Sequence, residues 1–266
     1  MAAFSGLSGD RTLFPMRYLR FHYKDLIGYG RLEGDLIRAI EGDLFGTYKV
    51  TDTTVPLAAA RLLVPCLPTK IVAIGVNYKD HAAEFKKEPP TEPLIFLKPP
   101  SALLAPEEAI VYPEGVTKRV DYEGELAVVI KRRARNVAPE VAPSVIFGYT
   151  CCNDVTARDL QKKDGQWSRA KGFDTFCPLG PVISTEIDVT QLRIETFLNG
   201  ERKQDAPVSS MIFDVSTLVS HVSKVMTLLP GDIITTGTPA GVGPMQVGDV
   251  VEIHIEGIGR LRNRVV

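Results

Sequence analysis

The chain has 266 residues, a formal net charge of -1, 44% hydrophobic and 24% charged content, as expected of an ordinary globular protein. No basic stripe or run of like charges stands out, which excludes nucleic acid and anionic membrane surfaces as expected partners. No apolar stretch approaches the ~20 residues of a transmembrane helix, and Met1-Ala2-Ala3-Phe4-Ser5-Gly6 lacks the charged start and apolar core of a signal peptide, so a cytoplasmic location is expected.

Residues 1–66 read as a small N-terminal α+β domain ahead of a catalytic unit over 67–266. Met16 to Phe21 alternates as a strand does, Gly28 to Gly30 marks a turn, and Leu36 to Ile40 with Gly42 suggests another strand and hairpin. Pro65-Cys66-Leu67-Pro68 ends this unit, because proline removes a backbone donor and favours extended connections. The second unit opens with the buried-strand pattern Lys70 to Gly75. A helix-like piece follows from Tyr78 to Lys87, stopped by Pro89-Pro90, and Pro93 to Leu97 is a short strand before Pro99-Pro100. Val145 to Cys152 reads as a buried strand, then a helix from about Val155 to Lys162 with Asp154 placed to cap it. The remainder is β-rich: Pro181 to Ser184, Arg193 to Leu198, Ile233 to Thr236, Val250 to Ile255 and Arg260 to Val265, with Asn199-Gly200 as a hairpin signal. Ser216 to Leu228 reads as one more helix, closed by Pro230-Gly231. Many short strands with few helices predict a mostly β protein with peripheral helices, α+β in class, rather than a doubly wound sheet.

The residues that carry chemistry begin at Asp121-Tyr122-Glu123-Gly124-Glu125, at the mouth of the apolar run Leu126 to Ile130. Side chains alternate along a strand, so Glu123 and Glu125 face the same way. Two like charges entering a buried strand call for a positive partner, and a hard divalent cation is the simplest. Asp154 follows the next apolar segment and closes such a site. Oxygen-only ligands select Mg²⁺, Mn²⁺ or Ca²⁺ over zinc. The plainer alternative is a solvated strand edge, with Asp154 as a helix cap alone.

Asp154, Arg158 and Gln161 stand at i, i+4 and i+7, one helical stripe placing a carboxylate beside an anion-binding pair. His81 and Glu84, at i and i+3, project from one side of the short helix; either Glu84 orients the imidazole as a general base for water, or the two are a surface histidine beside a surface glutamate. The proline-terminated segment Lys79 to Pro90 has the make-up of a lid. Lys171, beside Gly172, is either a lysine that neutralises a developing oxyanion or a loop lysine in water. Thr235 to Gly243 is a hydroxyl- and glycine-rich loop that lets backbone N–H groups approach an anion, without the ending of a nucleotide-binding P-loop. His22, His221 and His254 lack ligand partners at suitable spacing. Cys66, Cys151, Cys152 and Cys177 read as reduced, buried thiols.

Several stretches resemble the fumarylacetoacetate hydrolase family: Gly75-Val76-Asn77-Tyr78-Lys79-Asp80-His81-Ala82-Ala83-Glu84, Asp121 to Leu126, Gly148 to Gln161, Lys171 to Thr175 and Thr236 to Gly243, in the same order. The resemblance covers about residue 68 to the C-terminus and implies a mixed β-roll domain, a homodimer, and Mg²⁺ or Mn²⁺ near a small-molecule 2-oxo acid. It carries over Glu123, Glu125 and Asp154 as metal ligands, and His81 and Glu84 as the water-activating pair. Lys171 is carried over as the charge-stabilising lysine, with Arg158, Gln161 and Thr238 as the substrate lining. The further aspartate ligand of the founding hydrolase has no counterpart here, since Asp80 does not occupy that spacing. The chain is closer to the short members, which include acylpyruvate hydrolases, oxaloacetate decarboxylases and 2-hydroxyhepta-2,4-diene-1,7-dioate isomerases. The expected activity is cleavage of a C–C bond in a 2-oxo or 2,4-dioxo acid through an enolate, as acylpyruvate-type hydrolysis. A decarboxylase or isomerase on the same site is the close alternative, and a non-catalytic protein stapled by its cation the remote one.

Overall fold

The computed structural model describes residues 15–84 and 88–266. Five strands come first: β1 (Met16–Tyr23), β2 (Leu26–Glu33), β3 (Leu36–Gly42), β4 (Tyr48–Pro56) and β5 (Arg61–Leu63). Among the described residues of this unit the connections are short, and the helical turn is the 3-10 turn Leu57–Ala59; residues 1–14 of the expected α+β domain lie outside the described residues. The turn expected at Gly28 to Gly30 is instead the interior of β2, paired antiparallel with β1 through Phe21↔Gly28 and Leu19↔Gly30. Glycine is needed there for space, because a Cβ on Gly30 would come 2.3 Å from Ile37 Cγ2. The reversal itself uses Lys24, at φ 52°, and Asp25.

Next come β6 (Ile71–Gly75), α1 (Lys79–Glu84), β7 (Leu94–Lys98), β8 (Leu103–Leu104), β9 (Ala109–Ile110), β10 (Val120–Tyr122) and β11 (Gly124–Ile130). They are followed by β12 (Ile146–Asn153), β13 (Thr156–Ala157), α2 (Arg158–Asp164), α3 (Ser168–Lys171) and β14 (Cys177–Thr185). The chain closes with β15 (Arg193–Leu198), β16 (Glu201–Pro207), α4 (Val215–Val225), β17 (Ile233–Thr235), β18 (Gly243–Met245), β19 (Val250–Ile255) and β20 (Gly259–Val265). The helix expected over 78–87 is α1; residues 85–87, and with them part of the expected lid, lie outside the described residues. Asp214 caps α4 by accepting the Thr217 N–H at 2.8 Å. Asn199 and Gly200, at φ 53° and 81°, turn β15 into β16, as a two-residue hairpin requires.

The protein is mostly β with peripheral helices. One 12-stranded sheet runs β4-β3-β2-β1-β14-β12-β11-β17-β6-β7, with β5 added on β1 and β8 on β14. The N-terminal strands therefore join the same sheet as the rest, through β1 against β14. A five-stranded sheet, β16-β15-β19-β20-β9, and a three-stranded one, β13-β10-β18, complete the architecture. Val72, Ile74, Leu126 and Val128 of the large sheet share one apolar cluster with Ile194, Ile253 and Ile255 of the five-stranded sheet. Every residue of β6 and β11 is buried, which explains their continuous apolar runs. All four cysteines are buried free thiols. No helix among the described residues is long and apolar enough to cross a membrane.

Candidate active site

The chain changes sheets at Glu123. β10, ending at Tyr122, belongs to the three-stranded sheet, and β11, starting at Gly124, to the large one. The corner is pinned to the end of β12: the Glu123 N–H donates to Asn153 Oδ1 at 2.9 Å, and its carbonyl accepts the Asp154 N–H at 2.9 Å. Glu123, Glu125 and Asp154 are buried, and one carboxylate oxygen from each lies within 4.8 Å of the others.

Asp154 is not a helix cap. α2 begins at Arg158, behind Ala157, which makes no side-chain cap. The Asp154 oxygens are taken instead by two buried ammonium groups, Lys98 Nζ at 2.6 Å from Oδ1 and Lys171 Nζ at 2.6 Å from Oδ2. Asp154, Arg158 and Gln161 therefore do not form one helical stripe. Arg158 and Gln161 do share a face of α2, with Arg158 Nη1 donating to Gln161 Oε1 at 2.7 Å.

Lys171, at the end of α3, also reaches Glu123 Oε2 at 2.8 Å, and its Nζ lies 5.1 Å from the Phe96 ring centroid. Arg158 spends its remaining donors on carboxylates: Nε on Asp121 Oδ2 at 2.8 Å and Nη2 on Glu123. These contacts oppose the cost of burying charge. Burial pushes Glu123 up, but Lys171, Arg158 and His81 outweigh it and hold its carboxyl well below the usual range. For Lys171, burial lowers the proton affinity, yet Asp154 and Glu123 reverse the balance and raise it. Glu125 goes the other way. Burial, then Asp154, then Glu123 push it well above the usual range, and its hydrogen bond among the described residues is the Gly237 N–H, at 2.9 Å. A buried carboxylate with no cation bonded to it among the described residues, beside two others, is where a hard divalent ion fits an oxygen-only donor set.

His81 Nδ1 lies 3.1 Å from Glu84 Oε2 on α1. Burial pushes the imidazole below its ordinary value, against the opposing pull of Glu123 and Glu84. The other oxygen, Glu84 Oε1, accepts the Gly241 N–H at 3.2 Å, which ties α1 to the glycine-rich loop after β17. In that loop Thr238 Oγ1 donates to the Gly124 carbonyl at 2.9 Å and accepts from Gln204 Nε2 at 2.7 Å. One cavity has on its wall His81, Glu123, Glu125, Asp154, Arg158, Gln161, Lys171 and Thr238. An apolar side made by Ile74, Phe96 and Trp167 faces them.

Three residues of this arrangement escaped the sequence reading. Lys98 ends an apolar strand ahead of two prolines and passes for a strand terminus; a lysine kept inside such a run is the available signal. Asp121 opens the carboxylate stretch and bonds Arg119 two residues before it, but nothing along the chain announces its pair with Arg158, 37 residues away; Gln204 gave no signal, with partners 34, 35 and 80 residues away.

Residues 70–266 match the family described as fumarylacetoacetate (FAA) hydrolase, C-terminal, and residues 16–65 match the Rv2993c-like N-terminal family. Protein Rv2993c of Mycobacterium tuberculosis is 48% identical over 94% of this chain and 98% of its own length. Oxaloacetate tautomerase YisK of Bacillus subtilis is 40% identical over 84% of this chain and 77% of its own. The crystal structure of a 2-hydroxyhepta-2,4-diene-1,7-dioate isomerase from Mycobacterium marinum superposes with a TM-score of 0.88 at 47% identity, covering 94% of this chain and 98% of that one. Likeness of this extent, in sequence and in fold together, makes the chain a member of the fumarylacetoacetate hydrolase family.

Proposed function

We propose that the protein is an enzyme acting on small 2-oxo acids through their enolates, and that it hydrolyses the C–C bond of a 2,4-dioxo acid. One observation carries the reading: a single cavity brings His81, which is bonded to Glu84, together with a buried lysine and three converging carboxylates. Glu123, Glu125 and Asp154 would hold Mg²⁺ or Mn²⁺, which when bound supplies Lewis-acid stabilisation for the oxygens of a 2-oxo acid.

His81, its proton affinity lowered by burial, is neutral at pH 7 and able to accept a proton. Glu84 favours the tautomer protonated on Nδ1, which makes Nε2 the basic atom. In the hydrolytic reaction His81 takes a proton from water as the oxygen attacks the carbonyl distal to the 2-oxo acid. The C–C bond then breaks, one fragment leaves as a carboxylic acid, and the electron pair stays on the other as the enolate of pyruvate. The Lys171 ammonium offsets that charge in a site of low dielectric, and protonation of the carbon gives pyruvate. Thr238 has committed its proton to the Gly124 carbonyl, so toward substrate it accepts rather than donates. Arg158, with its donors on Asp121, Glu123 and Gln161, supports the carboxylate wall.

A second reading is isomerisation or decarboxylation of a 2-oxo acid; the names of the tautomerase and isomerase relatives favour its isomerisation form. It uses the same enolate, with His81 moving a proton and no attacking water. Incubation with acetylpyruvate and with oxaloacetate in Mg²⁺ or Mn²⁺, following pyruvate, CO₂ and loss of enol absorbance, separates the two. Pyruvate and acetate from acetylpyruvate, abolished by EDTA and restored by either ion, is the expected result. Loss of oxaloacetate enol without acetylpyruvate cleavage transfers the assignment to the second reading, and full activity in metal-free protein refutes the cation.

A further inference from the structure

We infer that Gln204 is a positioning residue that sets the angle between the two glutamates of the candidate cation site and braces the loop behind the His81–Glu84 pair. The inference rests on reading Glu123, Glu125 and Asp154 as cation ligands.

Gln204 belongs to β16 in the five-stranded sheet, yet its side chain, 1% exposed, makes its bonds outside that sheet. Oε1 accepts the Gly124 N–H at 3.0 Å, while Nε2 donates to Thr238 Oγ1 at 2.7 Å and to the Pro239 carbonyl at 2.8 Å. Gly124 is the residue between Glu123 and Glu125, and its carbonyl accepts from Thr238 Oγ1 at 2.9 Å. Both backbone polar groups of Gly124 are thus held by side chains. The ladder between β11 and β17 begins only at Ala127, so at the corner these side chains do what a neighbouring strand does elsewhere.

The space is closed as well as bonded. A Cβ on Gly124 would stand 2.1 Å from Thr196 Oγ1 and 3.1 Å from Gln204 Oε1, so the hairpin of β15 and β16 sits directly on the peptide joining the two glutamates. The Thr238-Pro239 end of the ring matters equally. The flanking N–H groups of the same loop hold Glu125, through Gly237, and Glu84, through Gly241. Gln204 therefore bonds at once to the peptide that aims both glutamates and to the loop that fixes Glu125 and the orienter of His81. Thr238 Oγ1 donates to Gly124, so its lone pair and the Pro239 carbonyl both call for a donor, and an amide is the side chain that also accepts from Gly124.

The test is Mn²⁺ binding to metal-free protein, without substrate, by titration calorimetry. Wild type, Gln204→Met, Thr238→Val and the double variant are compared, each with far-UV circular dichroism and a melting temperature. Loss of an outer support of a metal site weakens binding about 10- to 100-fold, so Gln204→Met and Thr238→Val should each fall in that range. Because the two residues act through one ring, the double variant should lose less than the product of the singles. A merely structural role would lower the melting temperature and leave the Mn²⁺ affinity alone. A folded Gln204→Met binding Mn²⁺ within twofold of wild type overturns the inference, and if that variant does not fold, Thr238→Val decides by the same criterion. Wild-type protein that takes up no Mn²⁺ overturns the cation reading together with this inference, an outcome distinct from wild-type binding that the variants leave untouched.

Discussion

Glu125 shows how a single side chain stores the site's requirement for positive charge. Burial, Asp154 and Glu123 raise its proton affinity above that of the unfolded chain. Its contribution to stability is therefore fully present below the ordinary carboxylate range and is lost as pH rises through the folded value. At pH 7.5 Glu125→Gln should raise the melting temperature of metal-free protein by about 3 °C for each kcal/mol of relieved repulsion. The same variant should cancel the stabilisation that Mn²⁺ gives wild type by linkage. Thermal melts with and without Mn²⁺ measure both effects, and an unchanged Mn²⁺ increment removes Glu125 from the ligand set. His81 makes the second prediction at this scale. Its lowered proton affinity places the acid limb of kcat/KM below the ordinary histidine value of about 6.5. His81→Ala should cut turnover by ~10²–10⁴ while keeping Mn²⁺ affinity. A limb well above that value, or an intact rate, removes His81 from the proton transfer. The acidic residues were legible in the sequence because their spacing carries an electrostatic demand. Lys98 and Gln204 were not, because their partners are remote along the chain, 56 residues away for Lys98 and 34 to 80 for Gln204.

At the scale of elements, the decisive feature is the break between β10 and β11. The apolar run Leu126 to Ile130 made the strand legible, and most other strands were readable from the same kind of pattern. The interruption at Glu123 was not, since alternation along one continuous strand accounts equally well for two glutamates on one side. The start of α2 was displaced for a related reason. A lone aspartate ahead of a helical run satisfies the capping rule, but two lysines from distant elements claim its oxygens. Gly124→Ala tests the corner. With Thr196 Oγ1 at 2.1 Å from the added carbon, the hairpin must shift, at about 1–3 kcal/mol for an overpacked interior. The melting temperature should drop and Mn²⁺ binding should weaken with it, whereas wild-type values for both would show that the corner yields freely.

At the scale of the molecule, the 12-stranded sheet runs without interruption from the N-terminal strands into the cavity-bearing ones. The composition gave no hint of this, because proline-rich punctuation at 65–68 reads as a boundary whether or not hydrogen bonds cross it. Removing residues 1–66 would strip β1 from β14 and leave a bare strand edge. A fragment over 67–266 should show a lower melting temperature and concentration-dependent aggregation, checked by thermal melts and light scattering. A fragment as stable and monodisperse as the full chain would mean that the shared sheet carries no load. The same scattering measurement on the full chain tests the homodimer that the family resemblance implies.

The seam between β1 and β14 also limits how freely such chains exchange parts. It consists of Met16↔Thr185, Arg17↔Ser184 and Tyr18↔Ile183, with the Tyr18 ring 5.4 Å from that of Phe147. An N-terminal unit grafted from a relative has to arrive in the same phase. A slip of one position would turn that tyrosine from the interior to the outside, so compatible donors can be chosen by matching three residues rather than sixty.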